Sequence, residues 1–405
     1  MSTSRVMAWS VWLVASIFYA YQYILRVMPN IMMGDILTQF HIDTATFGQF
    51  SGVYYIGYSL MHLPIGILLD RFGAKRVMPV CILLTVIGLM PLLFANFWLY
   101  PILGRALIGI GSSAAILGTF KAVRIAFSEA KFTRMLSFSV TIGLIGAIYG
   151  GGPVNYMCQE LGYKTVLALF AALGVVLALV TYLILPRTTA EPDADSSVIS
   201  NLREVFSNFK VLAFCFFAGL MVGPLEGFAD VWGTQFLKQV YGLDSTISAS
   251  LPSLIFIGMC FGAPVLSLIA EKSGNAVATI AASGAVMAGC FFALLTGQIP
   301  VAAIGIMFVA VGVCSAYQII AIFKASTYVN ENVVGLTTAV ANMIIMIFGY
   351  AFHTIIGGVI SSLGTIESSA FVYGIAVIPV ALTLGTMGFL VILFQERKAS
   401  KAVPA

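Results

Sequence analysis

The chain has 405 residues, of which 60% are hydrophobic and 9% charged, with a formal net charge of +4. A soluble domain carries about 25% charged residues, so this composition excludes one, and with it the usual soluble enzymes and nucleic-acid binders. At about 20 apolar residues per membrane crossing, the length accommodates roughly a dozen spans joined by short loops.

Residues 1–5 are a short cationic lead. The apolar run that follows has no small-residue cleavage site and is succeeded at once by further spans, so it reads as a retained first helix over 6–29. It carries Tyr19, Tyr21, Gln22, Tyr23 and Arg26. The next five spans are expected over 46–69, 77–96, 98–124, 135–157 and 163–185. Residues 186–210 are the one long polar stretch and read as a linker, partly disordered at its start and amphipathic near 202–206. Six more spans follow over 211–238, 248–270, 276–296, 299–324, 335–361 and 369–394, then a basic tail over 396–405. The reading is an all-α membrane protein with halves at 1–185 and 211–395.

Distribution of charge gives the topology. Thirteen Lys and Arg fall in the segments on one side of this map and only Lys164 and Lys238 in the loops of the other. Basic loops stay cytoplasmic, which puts both termini in the cytosol. The cysteines at 81, 158, 215, 260, 290 and 314 stand singly with no CxxC, and read as small core residues. No metal cluster, nucleotide loop or nucleophilic triad is present, so no cofactor, metal or enzymatic activity is expected.

Five basic residues remain inside spans: Arg26, Arg105, Lys121, Arg124 and Lys324, against the acids Glu226 and Asp230. A charge at a helix centre costs on the order of 2.5–3.5 kcal/mol, so each should face a polar interior and a partner. The excess of basic over acidic side chains favours an anionic solute. Arg124, and less clearly Lys121 and Lys324, admit the plainer reading of side chains that snorkel to headgroups. Glu226 and Asp230 are four apart, on one helix face. Neighbouring buried carboxylates raise one another's affinity for protons, which makes them the candidate proton-coupling groups, although Asp230 can also be read as hydrated near the outer end.

The stretch Gly66-x3-Asp70-Arg71-x-Gly73-x-Lys75-Arg76 closes the second span at a glycine turn on the basic side. It resembles the signature between helices 2 and 3 of the major facilitator superfamily. At an offset of 201 residues, Ser267-x3-Glu271-Lys272-x-Gly274 repeats it, and Thr119–Ala122 recurs as Ile322–Ala325 at an offset of 203. The resemblance implies 12 transmembrane helices in two pseudo-symmetric six-helix halves, alternating access, and a small-molecule solute. It implies that Gly66, Asp70, Arg71, Gly73 and Arg76 form a gating motif, with Asp70 meeting the start of helix 11. Arg105-x3-Gly109-x-Gly111 resembles the family's second signature, which implies a coupling role for Arg105. Gly143-x2-Gly146-x3-Gly150-Gly151-Gly152-Pro153 resembles the antiporter signature but lacks the glycine pair after the proline; the alternative is close helix packing.

The same fold implies that Tyr19, Gln22, Tyr23, Arg26, Lys121, Tyr317, Gln318, Lys324, Asn342 and His353 line the solute path. The 201-residue offset sets Arg26 beside Glu226 as a candidate pair. His62 reads as a packing residue. Segments in helices 1 and 7 resemble the branch of phagosomal and, more distantly, organophosphate transporters. The expected function is proton-coupled import of a small anion or carboxylate by a monomer in a bacterial inner membrane, the cargo being an organic acid, a carboxylate siderophore such as rhizoferrin, or a sugar phosphate. A neutral amino acid or nucleoside importer, an efflux antiporter and a non-transporting sensor are the alternatives.

Overall fold

The computed structural model describes residues 5–187, 198–330, 333–364 and 368–402, which hold helices and no strand. In chain order these begin with α1 (Arg5–Ile31), α2 (Met33–Phe40), α3 (Thr44–Phe72), α4 (Ala74–Phe94), α5 (Leu99–Ala126), α6 (Glu129–Tyr149), α7 (Gly152–Leu161) and α8 (Tyr163–Ile184). Next come α9 (Val198–Ser207), α10 (Phe209–Leu220), a π-helical segment (Gly223–Trp232), α11 (Gly233–Tyr241), α12 (Ser245–Ser250) and α13 (Ser253–Ser273). The chain continues through α14 (Ala276–Leu294), α15 (Val301–Ser315), α16 (Tyr317–Ser326), α17 (Val334–Ser362) and α18 (Ser368–Ala402). Among the described residues these make 12 segments long and apolar enough to cross a membrane.

Contacts divide the chain into two compact units, Met1–Asp193 with Asp244–Ser253, and Ala194–Leu243 with Leu254–Ala405. The short α12 therefore packs with the first unit, where Ser245 Oγ lies 3.1 Å from Asn155 Oδ1 of α7. Within that unit α5 is central, packed on α1, α3 and α4. In the second, α18 packs on α10, α14 and α17.

Local chemistry sets several boundaries. Asp43 accepts from the Thr46 amide at 2.9 Å and starts α3, as an N-cap should. Gly73, at φ 77°, ends α3 and starts α4, a turn that a side chain would strain.

Glycines set how closely the helices cross, and they do so twice with the same geometry. In the first unit Gly57 abuts the Ala106 carbonyl and Gly109 the Tyr54 carbonyl, bringing α3 and α5 backbone to backbone. In the second unit Gly258 abuts the Val309 carbonyl and Gly312 the Ile255 carbonyl. Tyr54 and Gly57 map to Ile255 and Gly258 by 201 residues, and Ala106 and Gly109 to Val309 and Gly312 by 203, the offsets of the sequence repeat. The antiporter-like glycines also pack: Gly143 lies on the Tyr19 ring, Gly146 on Ala20 and Gly150 on Val27, seating α6 against α1.

Two sequence expectations change, and a third lies partly outside the described residues. The seventh span is not one α-helix but is interrupted by the π segment. The basic tail is helical as far as Ala402, an extension of α18, with 403–405 outside the described residues. The disorder expected at the start of the linker falls on 188–197, which lie outside the described residues; the linker's end is α9, where Asn330 Nδ2 donates to Glu204 Oε1 at 2.9 Å.

Candidate functional site

On α1, Tyr19, Gln22, Tyr23 and Arg26 follow the i, i+3, i+4, i+7 spacing of one helix face, and all four are buried. Arg26 is 6% exposed. Its guanidinium lies over the Tyr23 ring at 5.1 Å and over the Tyr55 ring of α3 at 5.2 Å. Tyr19 and Tyr23 meet at 5.3 Å between ring centroids, and the Tyr54 hydroxyl donates to Gln22 Oε1 at 2.8 Å. Two tyrosine rings thus lie within cation–π distance of the guanidinium.

Arg105 fixes this helix in place. Its Nη1 donates to the Leu25 carbonyl at 2.7 Å and its Nη2 to the Arg26 carbonyl at 2.8 Å. The Leu25 carbonyl would ordinarily bond the amide four residues on, but that residue is Pro29, inside α1 and without an N–H. Arg105 supplies the missing donor, and its own face rests on Tyr54 at 4.9 Å. Its visible role is to hold α1.

In the second unit Glu226 and Asp230 are buried, at 1% and 0% exposure, on the π segment. Burial sets aside the reading of Asp230 as a hydrated outer residue. Single π turns inside spanning helices occur frequently at functional sites. Gly223 and Gly227 let this segment lie against Phe352 of α17, beside the buried His353. Asn342 is half-buried on the same helix. Gln318 is buried just past the break between α15 and α16, and its Nε2 has no hydrogen-bond partner.

Three residues expected on the solute path make side-chain contacts within their own unit. Lys121 Nζ pairs with Asp70 Oδ1 at 2.8 Å and donates to the Leu69 carbonyl at 2.6 Å. Lys324 Nζ pairs with Glu396 Oε1 at 3.1 Å and sits over the Tyr328 ring at 5.1 Å. The Tyr317 hydroxyl donates to the Ala218 carbonyl at 2.6 Å, tying α16 to α10. Arg124 is exposed, over the Phe132 ring. Among the described residues the buried Arg, Lys, Asp and Glu are two arginines in the first unit, Arg26 and Arg105, and two carboxylates in the second, Glu226 and Asp230. The sequence tally overlooked Asp70 and Glu396 as partners because both lie at helix ends.

In the candidate gating motif a Cβ at Gly66 would make only ordinary contact with Leu117 Cδ1 at 3.9 Å, Gly73 makes the turn, and Asp70, Arg71 and Arg76 are exposed, with Arg71 over the Phe72 ring at 5.6 Å. Tyr54, Tyr55 and Tyr58 escaped the sequence reading, although three tyrosines in one span within five residues are an unusual polar-aromatic density for a lipid-facing helix. His62 stacks on Tyr58 at 5.3 Å.

Comparison with known proteins agrees with this architecture. The sequence is 23% identical over 258 residues to the uncharacterized transporter YybO of Bacillus subtilis, covering 57% of this chain and 58% of that one. It is 22% identical over 234 residues to the nitrite extrusion protein of the same organism, 54% of each. Multidrug resistance protein MdtM of Escherichia coli matches at 23% over 194 residues, 47% of each. The chain thus spans about half the length of the curated relatives it matches. The crystal structure of nucleoside transporter NupG superposes with a TM-score of 0.75 at 16% identity over 95% of this chain and 99% of that one. A bacterial homologue of the human lysosomal transporter Spinster gives 0.70 at 16% identity over 96% of each. The profile of the Major Facilitator Superfamily matches residues 11–353. The buried charges, the repeated glycine crossings and this match lead to one statement: the chain belongs to the major facilitator superfamily of membrane transporters.

Proposed function

We propose that this transporter moves a small carboxylate-bearing solute, an organic acid or a siderophore carboxylate, inward with protons by alternating access. The observation that carries the reading is Arg26, buried and faced by Tyr23 and Tyr55. A guanidinium is a planar fork of N–H donors, the geometry that suits a carboxylate bidentately. Glu226 and Asp230, buried acids on a non-α segment of the second unit, are the proposed proton carriers. Arg105 serves by holding Arg26 in register. The asymmetry of Lys and Arg supports a cytoplasmic position for both termini in a bacterial inner membrane, and the proposed working form is a monomer.

The balance of two buried arginines with two buried carboxylates favours a second reading, a zwitterionic amino acid. Such a solute is neutral overall, as the set of buried arginines and carboxylates is, whereas a dianionic sugar phosphate is not. A small anion is also the cargo named for the nitrite extrusion protein, so direction belongs in the test.

The experiment is uptake by the full chain in proteoliposomes under an imposed pH gradient of either sign, with labelled organic acids, amino acids, sugar phosphates and nucleosides. Uptake of a carboxylate driven by an acidic exterior is expected, lost in Arg26→Ala. In Glu226→Gln, solute exchange is retained while gradient-driven accumulation disappears. Carboxylate transport by Arg26→Ala at the parent rate would sink the proposal.

A further inference from the structure

A groove of about 260 Å³ opens between α3, α5 and α6 in the first unit. Gly66 and Asp70 border it from α3, Phe120, Lys121 and Arg124 from α5, and Phe132 from α6. Its lining combines charge with apolar surface, the Arg124 guanidinium lying over the Phe132 ring at 5.7 Å. Lys121 and Arg124 supply two cations against the single carboxylate of Asp70, while Phe120 and Phe132 supply the wall. A Cβ at Gly66 would meet only Leu117 Cδ1, at 3.9 Å, so the absent side chain leaves the groove its floor.

Its surroundings place it at one level of the membrane. Ile67, Leu68, Phe72 and Phe120 beside it are exposed apolar side chains, as lipid contact requires. Arg71, Arg76, Lys131 and Arg134, all exposed, form a basic ring just beyond. The boundary between an apolar belt and a basic ring is the headgroup layer of the cytoplasmic leaflet, where anionic lipid attracts basic side chains.

We propose that this groove binds one anionic glycerophospholipid, its phosphate between Arg124 and Lys121 and an acyl chain along Phe120 and Phe132. The phosphate shares Lys121 with Asp70, so the lipid touches the gating motif directly. The repeat does not reproduce the site. Arg124 corresponds at the 203-residue offset to Thr327, and Lys324, the counterpart of Lys121, is engaged by Glu396 of α18. The first unit alone carries the second cation.

Native mass spectrometry of the delipidated full chain, titrated with phosphatidylglycerol or phosphatidylcholine, tests this. One phosphatidylglycerol is expected to be retained in preference to phosphatidylcholine. Arg124→Gln should weaken it about fivefold, the contribution of one basic side chain at a membrane surface. Gly66→Leu, which fills the floor, should remove it, and Arg124→Gln decides alone if Gly66→Leu does not fold. Inorganic phosphate, which lacks the acyl chain, should not displace the lipid. Equal retention of phosphatidylcholine, unchanged binding by Arg124→Gln, displacement by inorganic phosphate, or a dimer that Gly66→Leu dissociates would each overturn the assignment.

Discussion

Arg105 holds Arg26 by its backbone: the guanidinium of one buried cation donates to the carbonyl of the other at 2.8 Å. Its second bond, to the Leu25 carbonyl, makes up for the amide hydrogen that Pro29 lacks. Removing Arg105 leaves a buried carbonyl unpaired, which costs about 1–3 kcal/mol. Arg105→Ala should lower thermal stability in detergent by that amount, and Pro29→Ala, which restores an amide donor, should recover part of the loss. Simple additivity in this double-mutant cycle would contradict the account.

The Lys121–Asp70 pair predicts a different pattern. The Asp70 side chain is 80% exposed, and exposed ion pairs contribute roughly 0–1 kcal/mol. Asp70→Asn and Lys121→Gln should leave the melting temperature nearly unchanged while both slow transport. If the two act through their bond, the double variant is no slower than either single one. A multiplicative loss would show that they act separately.

Repeated glycines give a matched pair of stability tests. Valine at Gly109 collides with the Tyr54 carbonyl and valine at Gly312 with the Ile255 carbonyl, neither of which is a flexible side chain. Overpacking of this kind costs about 1–3 kcal/mol or more, so both variants should show reduced folded yield by size-exclusion chromatography. Gly289→Val, on α14 with nothing within 4 Å, should behave as the parent.

Tyr328 supplies the pH dependence. Burial, and then the Glu396 carboxylate that accepts its hydroxyl at 2.6 Å, push the phenol above its ordinary value. A raised value means the folded state favours the protonated phenol. Its stabilising contribution is complete below the ordinary phenol value of about 10 and is lost as pH rises beyond it. The melting-temperature difference between the parent and Tyr328→Phe should therefore be constant around pH 8 and shrink above about pH 10. A difference that widens with alkali would refute it.

Much of the fold could be read directly from the sequence because a bilayer imposes one simple rule, about 20 apolar residues per crossing. All twelve spans appear where hydropathy puts them, and the face of α1 bearing Arg26 follows from helical spacing. What escaped depends on contacts distant in sequence. No local pattern says that Lys324 finds Glu396, 72 residues on, or that Tyr54 and Tyr55 close over α1. The π segment was hidden for another reason: Gly223, Pro224 and Gly227 weaken an α-helix locally, but only packing on Phe352 decides which helical form replaces it.

The recurrence of Tyr54–Gly109 as Ile255–Gly312 has a consequence for how this protein can change. Two backbones in contact admit one residue type, so an ancestral crossing survives duplication intact in both copies. Charged tips reach across several ångströms and can exchange partners, as Asp70 and Glu396 illustrate. The duplicated halves have thus kept a common skeleton and diverged in their wiring, and a substitution's effect in one should forecast its twin for glycines but not for lysines.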